Sequence, residues 1–314
     1  MEKDSDIEVL IPVYNCRDYI VKCIDSVKSQ TLTNKISIID DCSTDSVTSI
    51  LKQYEAGDIR VNFNTVNKGN LKTINELLRK STSNYIALQD ADDWSNEERL
   101  VVQMDFMNKN GLDFCFTNFI KTDNIGQDIY CGYFKDTLIT KDNVDDVEPT
   151  LAFASILFKR EIYESIGGFD EYFDRIGGAD IDWFYRAFAA GFKGGIIKKP
   201  LYYYRNNDVS YTSTVSLDPR KYISVEIARY FHKYRTLNKT RPHKEDLNDF
   251  IATQLKKINF NAKSNLKDYV VQATLRNHYL SAFKYLSKYL LTKPLNIHDL
   301  KLIKYVLHKI KSGK

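Results

Sequence analysis

The chain has 314 residues, 43% hydrophobic and 27% charged, with a net charge of +4; this suits a soluble globular protein built as one large domain with a smaller appendage. Its five cysteines (Cys16, Cys23, Cys42, Cys115 and Cys131) are scattered and form no CxxC pair, which argues against a disulfide framework or a zinc site and suits a reducing cytoplasm. Charge is uneven along the chain: residues 1–216 carry 24 Lys and Arg against 34 Asp and Glu, whereas residues 217–314 carry 21 against 7.

An acidic domain over 1–216 followed by a basic region over 217–314 is therefore expected. The opening "MEKDSDIEVL" has neither the basic flank nor the apolar run of a signal peptide. No stretch approaches the ~20 apolar residues that span a bilayer, so the expected location is the cytoplasm, free or at the inner face of the membrane.

In chain order, "IEVLIPV" (7–13) reads as a buried strand, and Ile20, Cys23, Ile24 and Val27 then recur at helical spacing. Strands follow at 35–40 ("KISIID"), 60–66 ("RVNFNTV") and 85–90 ("YIALQD"), each trailed by a helical pattern, and "LDFCFTNFI" comes next. Strict alternation predicts crossover units and a mostly parallel α/β sheet. "LAFASILFK" reads as a further strand, Gly177-Gly178 as a turn into a helix starting near Asp180, and "GGIIKK" and "LYYYR" as two short strands. Beyond 216 the pattern is helical, with "RNHYLSAFKYLSKYLL" and "LKLIKYVLHKI" both basic and amphipathic.

Ligands of such sheets bind beyond the carboxyl ends of the strands. There the sequence puts Pro12-Val13-Tyr14-Asn15, Asp40-Asp41-Cys42-Ser43-Thr44-Asp45, Asn67-Lys68-Gly69 and Asp90-Ala91-Asp92-Asp93. Three carboxylates in four positions either cap the next helix or hold a divalent cation, which takes one or two carboxylates plus substrate phosphates. An EF-hand loop fails, because Trp94, Ser95 and Val101 stand where Asp, Gly and Glu are required. "DCSTD" reads as a capping loop, as a metal-adhesion module using Asp41, Ser43 and Asp45, or as a nucleoside contact in which a carboxylate at the strand end accepts a uracil N–H while an aromatic such as Tyr14 stacks on the base.

Residues 1–216 contain no histidine, so a Ser-His-Asp or Cys-His arrangement within them is excluded. Neither G-x-G-x-x-G nor a Walker loop follows the first strand. A general base in this domain is a carboxylate or, as the weaker alternative, a Lys or Tyr, with Asp180 and Asp182 as candidates that could equally cap a helix.

Taken in order, "IPVYN", "IIDDCSTD", "NKGNLKTIN", "YIALQDADDW", "GGFDEYF", "GGADIDWFYRA" and "LYYYR" resemble the family 2 glycosyltransferases, inverting enzymes of the GT-A fold, over roughly residues 7–210. The resemblance implies that Tyr14 and Asp41 contact uracil, that Pro12 shapes the first loop, and that Asn67 and Gly69 belong to the nucleotide pocket. It implies Asp90 near the ribose or donor sugar, Asp92 on a Mn²⁺ or Mg²⁺ ion bridging the diphosphate, and Asp180 as base with Asp182 as the alternative. Arg205 and Ser210 fall where similar enzymes carry a flexible loop over the diphosphate. Two positions depart from the family pattern: Ala179 replaces a usual Glu, and Asn206-Asn207 stand where relatives often carry a metal-binding histidine.

The implied partners are a UDP-sugar and a glycan or lipid-linked acceptor of a bacterial capsule, O-antigen or teichoic acid pathway, with no nucleic acid. The basic helices would meet the membrane surface; packing on the acidic domain or homo-oligomer formation are the alternatives.

Overall fold

The computed structural model describes residues 6–122, 128–131, 136–140, 143–144, 152–205 and 218–257, and single positions between 270 and 307. The chain divides into two compact units, one formed by Met1–Asp174 and Gly178–Asn207, the other by Arg175–Gly177 and Asp208–Lys314.

The first unit is built on a mixed, mostly parallel sheet with flanking helices. Strand β1 (Ile7–Val13) lies between β2 (Lys35–Asp40) and β4 (Tyr85–Leu88), and β2 carries β3 (Ile59–Phe63), all four running parallel. Every residue of β1 is buried, as a strand covered on both faces must be. Even Glu8 is buried, and its carboxylate is satisfied by the hydroxyls of Ser37 and Ser81. Helices α1 (Ile20–Lys28), α2 (Val47–Tyr54) and α3 (Asn70–Lys80) bury the periodic residues expected of them, among them Cys23, Ile24, Val27, Leu51, Ile74 and Leu77.

Past β4 the alternation breaks. A two-residue strand β5 (Trp94–Ser95) precedes α4 (Arg99–Asn110) and β6 (Phe114–Thr122). Strands β7 (Asp128–Cys131) and β8 (Thr137–Leu138) flank β6 and the later β10 (Gly194–Arg205) in antiparallel fashion. "LAFASILFK" is not one strand. It makes a 3-10 turn at Phe153–Ser155, where the Ser155 hydroxyl bonds both the N–H and C=O of Thr117, and only Leu157–Lys159 (β9) pairs with β4 and β6.

The two short strands expected over 194–205 are instead the single strand β10, parallel to β6 and antiparallel to β5. Its register slips on either side of Pro200, which has no N–H to give to the ladder. The sheet order is β3-β2-β1-β4-β9-β6-β10-β5.

Helices α5 (Arg160–Ile166) and α6 (Ala179–Ala189) complete this unit. Trp183 of α6 is buried among Phe153, Phe158 and Phe169, with ring centroids 5.7, 5.0 and 6.1 Å away. This aromatic packing fixes α6, and with it the residues of its first turn.

In the second unit, Asp218 caps a 3-10 turn at Pro219–Ile223, followed by α7 (Ser224–Asn238) and α8 (Lys244–Lys257). Tyr230 stacks on Phe250 at 4.1 Å, and Val270, Leu286, Tyr289 and Val306 form a small separate core. Among the described residues, no helix is long and apolar enough to cross a membrane. The two amphipathic C-terminal patterns lie largely outside the described residues.

Candidate active site

The parallel register of β1 to β4 puts the predicted polar clusters at one end of the sheet. Pro12 is buried within β1 and Tyr14, just past it, is 48% exposed. Asn15 and Cys42 hold left-handed backbone, with φ of 52° and 62°, an arrangement that persists only where neighbours enforce it. They are enforced here: the Asn15 N–H donates to the Ser43 hydroxyl at 2.9 Å, and its side-chain oxygen accepts the Thr44 N–H at 2.8 Å.

Asp41 is 3% exposed and accepts from the Asn64 side chain at 2.8 Å, the Lys68 N–H at 2.9 Å and the Gly69 N–H at 2.8 Å. Asn67, itself exposed, donates to the Asp41 carbonyl at 3.2 Å. The carboxylate thus staples the loop after β3 to the loop after β2. Gly69 has φ 91°, and a Cβ there would stand 3.3 Å from Asp174 Oδ1, so this turn needs glycine.

The adhesion reading of "DCSTD" finds no support in this geometry. Asp41, Ser43 and Asp45 face different partners, Asp45 accepting from the Arg17 N–H at 2.8 Å and the Val47 N–H at 3.2 Å.

Asp90, Asp92 and Asp93 do not cap a helix, since α4 begins only at Arg99. Burial, then the charges of Asp92 and Asp180, push the Asp90 carboxyl up to about 7. Asp180, 90 residues away in sequence, is thus within electrostatic reach of Asp90. Asp93 is 2% exposed and is pushed well above the carboxylate range by burial and by Asp92 and Asp90, although it accepts from the Tyr202 hydroxyl at 2.8 Å and the Arg205 N–H at 2.7 Å.

Asp180 stands in the first turn of α6 behind Gly178, whose φ of 89° makes the tight entry possible. Burial raises its carboxyl, while the Ile181 N–H, donating at 2.9 Å, pulls the other way. Asp182 is fully buried and accepts from Arg186 Nε at 2.8 Å; Arg186 also donates to the carbonyls of Ile166 and Gly168 at 2.6 and 2.7 Å. Asp182 is therefore part of a buried brace between α6 and the end of α5.

Arg205 was expected in a covering loop. It is instead the last residue of β10 and 6% exposed, because its N–H meets Asp93, its Nε donates to the Asp92 carbonyl at 2.8 Å, and its guanidinium lies 4.7 and 4.8 Å from the Tyr19 and Trp94 rings. Ser210 lies outside the described residues.

Among the described residues, no three His, Cys, Asp or Glu side chains form a ready metal cage. Asp92 and Asp180 each raise the Asp90 carboxyl, and carboxylate oxygens gathered in this way fit a Mg²⁺ or Mn²⁺ ion, which takes one or two carboxylates and completes its shell with waters and substrate phosphates. Sequence reasoning missed Gln89, Arg99 and Tyr202, which lie beneath the loop. Their signal was weak: Tyr202 begins a run of three tyrosines, and Arg99 looks like an ordinary helix-surface residue.

The sequence profile described as "Glycosyl transferase family 2" matches residues 8–167. A putative teichuronic acid biosynthesis glycosyltransferase, TuaG of Bacillus subtilis (strain 168), is 35% identical over 116 residues, covering 36% of this chain and 46% of its own. A poly(ribitol-phosphate) beta-glucosyltransferase of Bacillus spizizenii is 34% identical over 145 residues, covering 44% of this chain and 23% of its own. The chain thus spans less than half the length of these curated relatives. In fold it is similar to S. aureus TarS 1–349 crystallised with UDP-GlcNAc, at a TM-score of 0.63 and 19% identity, covering 92% of this chain and 81% of that one. With its profile match running through all four parallel strands and the acidic loop, the chain belongs to glycosyl transferase family 2.

Proposed function

We propose that the chain is a metal-dependent inverting glycosyltransferase that moves a sugar from a UDP-sugar to a hydroxyl of a bacterial surface polysaccharide. The observation that carries this reading is the acidic loop Asp90-Ala91-Asp92-Asp93 following β4 at the carboxyl end of the sheet, with Asp180 at the start of α6 within electrostatic reach of Asp90. The relatives' names, teichuronic acid and poly(ribitol-phosphate) among them, support a cell-surface polymer as acceptor. UDP-GlcNAc in the similar fold of TarS supports a UDP-linked donor.

In this reading Tyr14 stacks on the base, and the staple formed by Asp41, Asn67 and Gly69 shapes the pocket wall beneath it. Because three donors already occupy the Asp41 carboxylate, its contact with uracil would use a remaining lone pair. Asp92, with Asp90 beside it, would hold the metal, which when bound neutralises charge developing on the departing diphosphate. Arg205, anchored by Asp92 and Asp93, adds a fixed positive group beside that loop.

Asp180 draws the proton from the acceptor hydroxyl as it attacks, an effect worth about 10²–10⁴-fold. Held in line with the anomeric carbon, the acceptor displaces UDP in a single step, and the configuration inverts. Asp182, committed to Arg186, takes no part in that proton transfer.

Calorimetric titration of UDP with and without Mn²⁺ tests the reading, on wild type and on Asp92→Ala. Metal-dependent UDP binding that is lost in the variant is expected. Metal binding without UDP binding would overturn it.

A further inference from the structure

Beneath the acidic loop lies a cation with no carboxylate partner among the described residues. Arg99, the first residue of α4, is 1% exposed, and all its acceptors are neutral. Both terminal nitrogens donate to the Leu88 carbonyl at 3.2 Å, and one also reaches Gln89 Oε1 at 3.4 Å and the Ala154 carbonyl at 3.5 Å. Its Nε has no partner. A buried guanidinium in such surroundings is costly unless something nearby offsets its charge.

The line that starts at Arg99 ends at the buried Asp93 carboxyl, whose hydrogen-bond partners are the Tyr202 hydroxyl and the Arg205 N–H. Between Arg99 and Asp93 stand Gln89 and Tyr202, both unexposed. Gln89 Oε1 accepts from Arg99 and from the Ser95 hydroxyl at 2.6 Å, which turns the amide so that Nε2 donates to the Tyr202 hydroxyl at 3.4 Å and the Asp90 carbonyl at 3.2 Å. The Tyr202 hydroxyl accepts that bond and the Asp90 N–H at 3.2 Å, and donates to Asp93 Oδ2 at 2.8 Å. A phenol has one proton to give and two lone pairs, so this hydroxyl is used to capacity. Every donor along the line points from the cation toward the carboxylate.

We infer that the buried line from Arg99 through Gln89 and Tyr202 to Asp93 braces the acidic loop from beneath, and that Tyr202, through its hydroxyl, is a positioning residue setting Asp90 and Asp92 for the donor diphosphate. The inference rests on the donor-site reading above. A relay of this kind holds the loop backbone at Asp90 and the Asp93 side chain from one buried atom, so its loss loosens the carboxylates without removing any of them.

Tyr202→Phe keeps the ring and its packing 5.6 Å from the Arg99 guanidinium and removes only the hydroxyl. All three hydrogen bonds of the hydroxyl are lost, and the expected result is about tenfold weaker UDP binding in Mn²⁺, with kcat lowered as well as KM raised once a donor is in hand. Ser95→Ala releases the amide of Gln89 more gently and should weaken UDP binding about threefold; it carries the test if Tyr202→Phe does not fold. A folded variant that binds UDP and Mn²⁺ as wild type does, with only its thermal stability lowered, would overturn the inference and leave the donor-site reading standing. Wild type that binds no UDP in Mn²⁺ would overturn both.

Discussion

Asp180 and Asp182 stand two residues apart in the first turn of one helix, yet one is within electrostatic reach of Asp90 and the other is sealed against Arg186. Their amides should therefore fail in opposite ways. Burial raises the Asp180 carboxyl above its ordinary 3.8. A carboxylate whose folded value is raised favours the fold below its unfolded value, and that contribution is lost as pH rises through the folded one. At neutral pH Asp180→Asn is thus expected to keep or raise the melting temperature while kcat falls about 10²–10⁴-fold. The wild-type acid limb of kcat should lie above the ordinary carboxylate range, since a base works only when ionised. Asp182→Asn breaks a buried pair and should cost about 3–5 kcal/mol of stability, read by urea unfolding. Loss of stability in Asp180→Asn, or its absence in Asp182→Asn, would reverse the two roles.

At the scale of elements, the half of the sheet built from β1 to β4 was legible because each strand and helix carries its own period, and a parallel crossover needs both. The acidic and polar loops were legible for the same reason: once strand ends are known, so is the edge where they gather. The second half was not. β5, β9 and the long β10 are pairings between distant short segments, and Pro200 disguises one strand as two. The Gln89–Tyr202 contact spans 113 residues, and no local pattern marks it.

The loop joining β3 to α3 gives a test at this scale. Gly69→Ala must force a Cβ into a conformation that is essentially glycine's own, 3.3 Å from Asp174 Oδ1, whereas Gly57, at φ 59°, has nothing within 4 Å of an added Cβ. Gly69→Ala should cost about 1–3 kcal/mol and Gly57→Ala about 1, compared by denaturant midpoints. Equal losses would mean that the Asp41 staple does not fix this turn.

Over the whole molecule the two charge populations ask for different partners. In the proposed function the acidic part takes a cation and a diphosphate. The basic region has 18 consecutive residues between Glu226 and Glu245 without a single acid, and Lys233, Lys239, Arg241 and Lys244 among them are exposed, with Leu237 81% exposed nearby. Basic side chains near an anionic leaflet contribute about 1 kcal/mol each, and the attraction fades within a Debye length of ~10 Å at 0.1 M salt. The protein is therefore expected to sediment with vesicles containing phosphatidylglycerol at low salt, to be released near 1 M salt, and to ignore neutral phosphatidylcholine vesicles. Replacing Lys233, Lys239 and Lys244 with Glu should abolish that retention while leaving UDP affinity intact, because those residues belong to the second unit and the donor loops to the first. Retention by neither kind of vesicle would turn the basic region toward an anionic acceptor polymer instead, and the same salt dependence would then appear in the acceptor KM.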